Sequence, residues 1–103
     1  MVLELNEANF SAETKDGIVI VDFWAPWCGP CRKLGPVLEE VANELQDKVK
    51  VCKLNTDENT TLAQEFAISA IPSVILFKDG QAIERMVGLT PKSTIISNIE
   101  KHL

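Results

Sequence analysis

Seven consecutive residues, Ile18-Val19-Ile20-Val21-Asp22-Phe23-Trp24, constrain the fold more than any other stretch of the chain. The run is β-branched and aromatic, and it is apolar at odd and even positions alike. A strand of that kind buries both faces, so it belongs in the middle of a sheet with cover on each side. Only Asp22 breaks the pattern. Gly17 opens the strand and Ala25-Pro26 ends it.

The rest of the chain supplies the cover. From Gly29 to about Gln46, residues Leu34, Val37, Leu38, Val41, Ala42 and Leu45 recur at three- and four-residue spacing and make one apolar stripe. Pro36 lies inside that helix, where it removes a hydrogen bond and should kink it. Val2–Leu5 reads as a short edge strand, and Asn6–Lys15 as a helix capped by Asn6. Val49–Leu54 and Ser73–Phe77 read as buried strands, with a short helix, Asp57–Ala67, between them. Lys78-Asp79-Gly80 is a hairpin signal that returns the chain through Gln81–Val87. Thr90-Pro91 starts a last helix, with Thr90 as its cap and Ile95, Ile96, Ile99 and Leu103 as its buried face. The order is β-α-β-α-β-α-β-β-α. Strands joined through helices are expected to lie parallel with right-handed crossovers, and the final hairpin adds an antiparallel pair. The fold class is α/β: a mixed five-stranded sheet flanked by four helices on both faces. A length of 103 residues that are 46% hydrophobic and 24% charged suits one domain over 1–103 and leaves no room for a second.

In such sheets the working site lies off the C-terminal ends of the strands. Trp24-Ala25-Pro26-Trp27-Cys28-Gly29-Pro30-Cys31 occupies that place. Cys28 falls at a helix N-terminus, where free N–H groups and the macrodipole favour a thiolate. Cys31 falls one turn inside the helix, close enough for the two sulfurs to join. Gly29 and Pro30 form the turn between them, and Pro30 has no N–H to lose there. As a staple such a short loop removes little denatured-state entropy. The pair is better suited to opening and closing. Cys28 is the candidate exposed nucleophile, attacking a partner's disulfide to give a mixed disulfide, and Cys31 the candidate resolving thiol. Two other uses of the motif are weaker. A zinc site needs a second close pair, and only Cys52 and His102 remain; an iron–sulfur cluster needs four thiolates, and the chain has three.

Asp22 should be largely desolvated, which raises its pKa. It either pairs with a buried lysine, Lys53 being the natural partner on the neighbouring strand, or accepts a proton from Cys31; the two are compatible. Trp27 stands beside the nucleophile and offers a flat apolar neighbour for a peptide. Pro72 precedes a buried strand, and taken alone its bond to Ile71 is expected to be trans. Gly80 and Gly88 read as turn or bulge residues, and Cys52 as a small buried hydrophobe. Fifteen acidic against ten basic residues leave a net charge of −5, which disfavours nucleic acid and anionic membranes as partners. Met1–Glu7 has no basic start, no apolar segment and no cleavage site, so a cytoplasmic location is expected.

Across essentially its whole length the chain resembles the thioredoxin family. The resemblance rests on Trp27-Cys28-Gly29-Pro30-Cys31, the preceding Val-Asp-Phe-Trp, Pro36, Lys53-Leu54-Asn55, Ile71-Pro72, Gly80 and Gly88. It implies the thioredoxin fold and a general protein-disulfide reductase. It implies that Cys28 is the nucleophile and Cys31 the buried resolving thiol, with Asp22 and Lys53 acting in proton transfer. It further implies a cis Ile71-Pro72 peptide facing the disulfide, the Ile71 backbone pairing with an extended client, and Trp27, Ile71, Pro72 and Gly88 lining the docking surface. Gly29-Pro30 resembles the reducing branch rather than the oxidant or isomerase branch. Electrons are expected from NADPH through a flavoprotein thioredoxin reductase, with no cofactor or metal bound to this chain, which is expected to be a monomer. Thr56, Ala70 and Cys52 depart from the family pattern, and a binding module of the same fold would differ by surviving loss of both cysteines.

Overall fold

A computed structural model describes residues 1–103. The strands are β1 (Leu3–Leu5), β2 (Ile18–Trp24), β3 (Lys50–Asn55), β4 (Ser73–Lys78) and β5 (Gln81–Val87). The helices are α1 (Phe10–Thr14), α2 (Gly29–Glu44), α3 (Thr60–Glu65) and α4 (Lys92–Glu100). They alternate in the expected order and form one sheet, β1-β3-β2-β4-β5, with β2 at its centre.

The alternation along β2 divides the core into two layers. Ile20 packs with Val51, Val74, Leu76 and Met86 beneath the Leu34, Leu38 and Val41 stripe of α2 and the Ile95 and Ile99 face of α4. Val19, Val21 and Phe23 point the other way, into a layer with Leu54, Ile75 and Phe77 that Phe10 of α1 and Leu62 of α3 close. Phe66 fills that second layer through ring contacts with Phe10, Phe23 and Phe77 at centroid separations of 5.4, 5.8 and 5.5 Å. Cys52 sits in the same layer, fully buried, as expected of a small hydrophobe. Burial pushes its thiol up to about 12, against a smaller opposing pull from Lys50.

One expectation about strand direction fails. β1 and β2 both lie parallel to β3, but β4 runs antiparallel to β2, with Ser73 opposite Phe23 and Lys78 opposite Ile18. α3 stops at Glu65, and beyond it a left-handed Ala67, at φ 53°, turns the chain so that residues 68–72 return to the end of the sheet where β2 and β3 finish. β4 enters from that end, with Ser73 beside the end of β2 rather than its start.

Element ends differ from the expectation where polar side chains set local turns. Asn6 does not cap α1 directly: its Oδ1 accepts from the N–H groups of Ala8 and Asn9 at 2.8 and 3.0 Å, and the helix starts only at Phe10. Asn55 Oδ1 accepts from Asp57 N–H at 2.9 Å, and α3 is delayed to Thr60. Thr90 is not the cap of α4. Its hydroxyl donates to the Gly88 carbonyl at 3.1 Å, and Pro91 takes the cap position. Leu103 lies beyond the helix end and is exposed, so it adds nothing to the core. α2 continues through Pro36. Asp79 and Gly80 have φ values of 50° and 87°, the backbone of a two-residue type I′ turn joining β4 to β5.

Candidate active site

β2 stops at Trp24 and α2 starts at Gly29, so four residues must turn the chain from sheet to helix. Cys28 N–H donates to the Ala25 carbonyl at 3.2 Å and closes that turn. Cys28 is the N-cap of α2, with extended backbone at φ −88° and ψ 114°. Its Sγ accepts the N–H of Cys31 at 3.2 Å, as a capping side chain should. Gly29 and Pro30 occupy the first turn, where helical N–H groups have no partner in any case. Cys28 and Cys31 are joined as a disulfide, with their Cα atoms 5.3 Å apart.

Cys28 is not the exposed member of the pair. Both cysteines are 5% exposed. Ala25 packs against them from the turn, and Trp24 and Ile71 cover the cluster. Cys28 Sγ lies 3.8 Å from the Ile71 carbonyl oxygen. This neighbour arrives by the antiparallel entry of β4, which brings the segment before Ser73 to the end of β2. The Ile71–Pro72 peptide is cis, against the trans expected from the dipeptide alone and in line with the family resemblance. Gly88 N–H donates to the Pro72 carbonyl at 2.8 Å, which ties β5 to the same segment. Gly88 holds a φ of +88°, a conformation that glycine adopts without a Cβ clash.

Asp22 stands on the α2 side of β2, one strand away from Lys53 at the same register position. It is 3% exposed, and burial raises its pKa from 3.8 to about 7 against the opposing pull of Lys53. A cavity of about 180 Å³ is lined by Asp22, Trp24, Cys31, Arg32, Gly35 and Lys53. Asp22 Oδ1 and Trp24 Nε1 are both buried without a hydrogen-bond partner. Lys53 Nζ lies 5.5 Å from the Trp24 ring centroid, so its charge is shared between a carboxylate and an aromatic face. The arrangement brings a buried carboxyl group and Cys31 to one small chamber.

Trp27 is 67% exposed beside the disulfide, and its Nε1 donates to Asp57 Oδ2 at 2.9 Å. Asp57 escaped the sequence reading. It lies thirty positions away, and nothing in local spacing joins the two. Thr56 also acquires a place: its N–H and its hydroxyl both donate to the Trp24 carbonyl, at 2.8 and 3.1 Å, tying the end of β3 to the end of β2. Cys52 is in the opposite core layer, and His102 Nε2 contacts Glu84 Oε2 at 2.9 Å, so neither joins the cysteine pair. No group of three or more His, Cys, Asp or Glu side chains is disposed to hold a metal ion.

A disulfide at a strand-to-helix turn, above a buried carboxylate, defines a dithiol–disulfide oxidoreductase. Comparison with known proteins gives the same answer. The thioredoxin family model matches residues 1–101. Thioredoxin 1 of Synechococcus elongatus is 46% identical over 101 residues, which cover 96% of this chain and 94% of that one. Thioredoxin of Bacillus subtilis is 43% identical over 102 residues, covering 99% and 98%. Among solved structures, Malassezia sympodialis thioredoxin superposes with a TM-score of 0.90 at 39% identity, covering 98% of this chain and 92% of that one. The chain belongs to the thioredoxin family, has its fold, and reduces protein disulfides by dithiol–disulfide exchange.

Proposed function

We propose that this chain is a general protein-disulfide reductase in which Cys28 opens the exchange and Cys31 completes it. In the reduced protein the helix N-terminus and the Cys31 N–H favour an ionised Cys28 sulfur. That thiolate attacks one sulfur of a client disulfide. A Cys28–client bond forms, the client S–S bond breaks, and the first client thiolate leaves. Cys31 then gives its proton to Asp22 and attacks Cys28 Sγ. The second client thiolate leaves, and the 28–31 disulfide closes. Two electrons have passed to the client. The single observation that carries this reading is the chamber shared by Cys31 and the unpartnered oxygen of Asp22.

Kinship with the family supports a reading of the outer parts of the cycle. Electrons come from NADPH through a flavoprotein thioredoxin reductase, and this chain binds no cofactor itself. Trp27, Ile71, Pro72 and Gly88 form the surface on which clients dock, with the Ile71 backbone pairing with an extended client strand. Gly29-Pro30 sets the turn for reduction rather than oxidation. A reducing compartment such as the cytoplasm suits a chain that acts as a dithiol. The direct test is insulin reduction driven by NADPH and a thioredoxin reductase. Catalysed precipitation of the insulin chains is expected. A folded protein that leaves insulin intact rejects the reading.

Lys53 has a separable part. Its charge holds the Asp22 pKa below the level that burial alone would set. In Lys53→Met that pull is gone and the carboxyl keeps its proton to higher pH. Proton acceptance from Cys31 needs the ionised form, so the acidic limb of kcat/KM for insulin should move to higher pH. A pH–rate profile that superposes on the parent's removes Lys53 from the mechanism.

A further inference from the structure

α3 ends in a Schellman motif built on an unusual residue. Ile68 N–H donates to the Ala63 carbonyl at 2.9 Å and Ala67 N–H to the Gln64 carbonyl at 3.0 Å, the paired bonds that close such a helix end. The donor of the shorter-range bond, the first residue past the helix cap, takes a left-handed conformation in this motif, and glycine normally fills it. Here it is Ala67, at φ +53°. A Cβ at that position strains the backbone, so something else must hold it.

Arg85 supplies the hold. It projects from β5, and its guanidinium donates through Nη2 to the Phe66 carbonyl at 2.6 Å and through Nη1 to the Ala67 carbonyl at 3.5 Å. A rigid fork of donors suits two neighbouring carbonyls at a helix end, where the dipole also favours a cation. Ala67 opens the short segment that runs through Ser69 and Ala70 to Ile71, whose carbonyl faces Cys28 Sγ. The far end of the segment is fixed already, by Ser73 Oγ donating to the Ala70 carbonyl at 2.6 Å and by Gly88 N–H on the Pro72 carbonyl. Its near end has Arg85.

We propose that Arg85 is a positioning residue for client docking: by clamping the left-handed end of α3 it sets the place of the Ile71 backbone beside Cys28. Arg85 acts through the backbone it holds, at the Phe66 and Ala67 carbonyls, and not on either sulfur. Its effect falls on substrates that use the Ile71 backbone and spares those that meet only the sulfur. The inference rests on the docking role given above to Ile71.

The test uses the full-length protein and three substrates: a disulfide-bonded peptide, the same peptide N-methylated at the amide beside the attacked cysteine, and bis(2-hydroxyethyl) disulfide. With the parent, N-methylation should raise KM, because it removes the donor for backbone pairing. Arg85→Gln should raise KM for the unmethylated peptide on the order of 3- to 10-fold, with kcat little changed. It should leave the methylated peptide and the small disulfide at parental values. Arg85→Lys, which keeps the charge and can reach one carbonyl, should fall between. A parental KM for Arg85→Gln, while methylation still impairs the parent, overturns the proposal and leaves the docking reading intact. An equal loss on all three substrates also overturns it, since that is general damage to the fold. If methylation leaves the parent unaffected, the docking role of Ile71 is wrong and this proposal falls with it.

Discussion

Cys31→Ser is expected to turn the protein from a reductase into a trap. Cys28 keeps its place at the N-terminus of α2, so it still attacks a client disulfide and forms the intermolecular bond. Serine cannot resolve that bond, and turnover should fall on the order of a thousandfold or more. A covalent adduct with a disulfide-bearing protein should accumulate and disappear on adding dithiothreitol, as non-reducing gels and intact mass would show. Cys28→Ser should lose turnover as completely and form no adduct. The contrast between the variants is informative because exposure does not rank the two sulfurs: both are equally covered. What separates them is the helix, which leaves one at the cap and places the other on the wall of the cavity that Asp22 also lines. Adducts on Cys28→Ser and none on Cys31→Ser would reverse the assignment.

The second large effect concerns stability. Asp22→Ala should make the folded protein more stable at pH 8, by about 4 kcal/mol. Unfolded, the carboxyl ionises near 3.8; folded, it holds its proton up to about 7. Below both values it is neutral in either state and the variant gains little. Between them the unfolded chain alone benefits from ionisation, so the parent loses stability as pH rises. Above about 7 the loss is complete. Denaturant unfolding of parent and variant in the oxidised form, across pH 4 to 8, should therefore show curves that nearly meet in acid and separate toward neutral pH. The same substitution should slow reduction roughly 10- to 100-fold, because Cys31 loses its proton acceptor. A variant less stable than the parent at pH 8 would show that the Lys53 pairing outweighs desolvation.

Much of this was legible in one dimension because the informative signals are local. The doubly apolar run of β2, the stripe on α2 and the Asp-Gly turn each fix an element from a short window. Their junction fixes where Cys28 and Cys31 must lie. Asp22 could be read as a buried acid for the same reason, being a charge inside a strand with no solvent face. The direction of β4 was hidden, because it depends on how the chain leaves α3, through a left-handed alanine that no residue preference announces. Partnerships such as Trp27 with Asp57, or Arg85 with the end of α3, join residues 30 and 19 positions apart. No periodicity reports them. The exposure expected of Cys28 failed similarly, since its cover, Ile71, arrives from 43 positions downstream.

That separation bears on biosynthesis. A nascent chain that has emerged only as far as the end of α2 already carries both thiols at their turn, yet lacks the segment that faces them. Contacts between remote parts of a chain form late, after local helices. Indiscriminate sulfur chemistry is therefore available before selective chemistry, and competence to distinguish one partner from another awaits the β4–β5 hairpin, whose residues bring and hold the Ile71 segment. An unfinished copy of this protein would be a thiol reagent; recognition is the last property the molecule acquires.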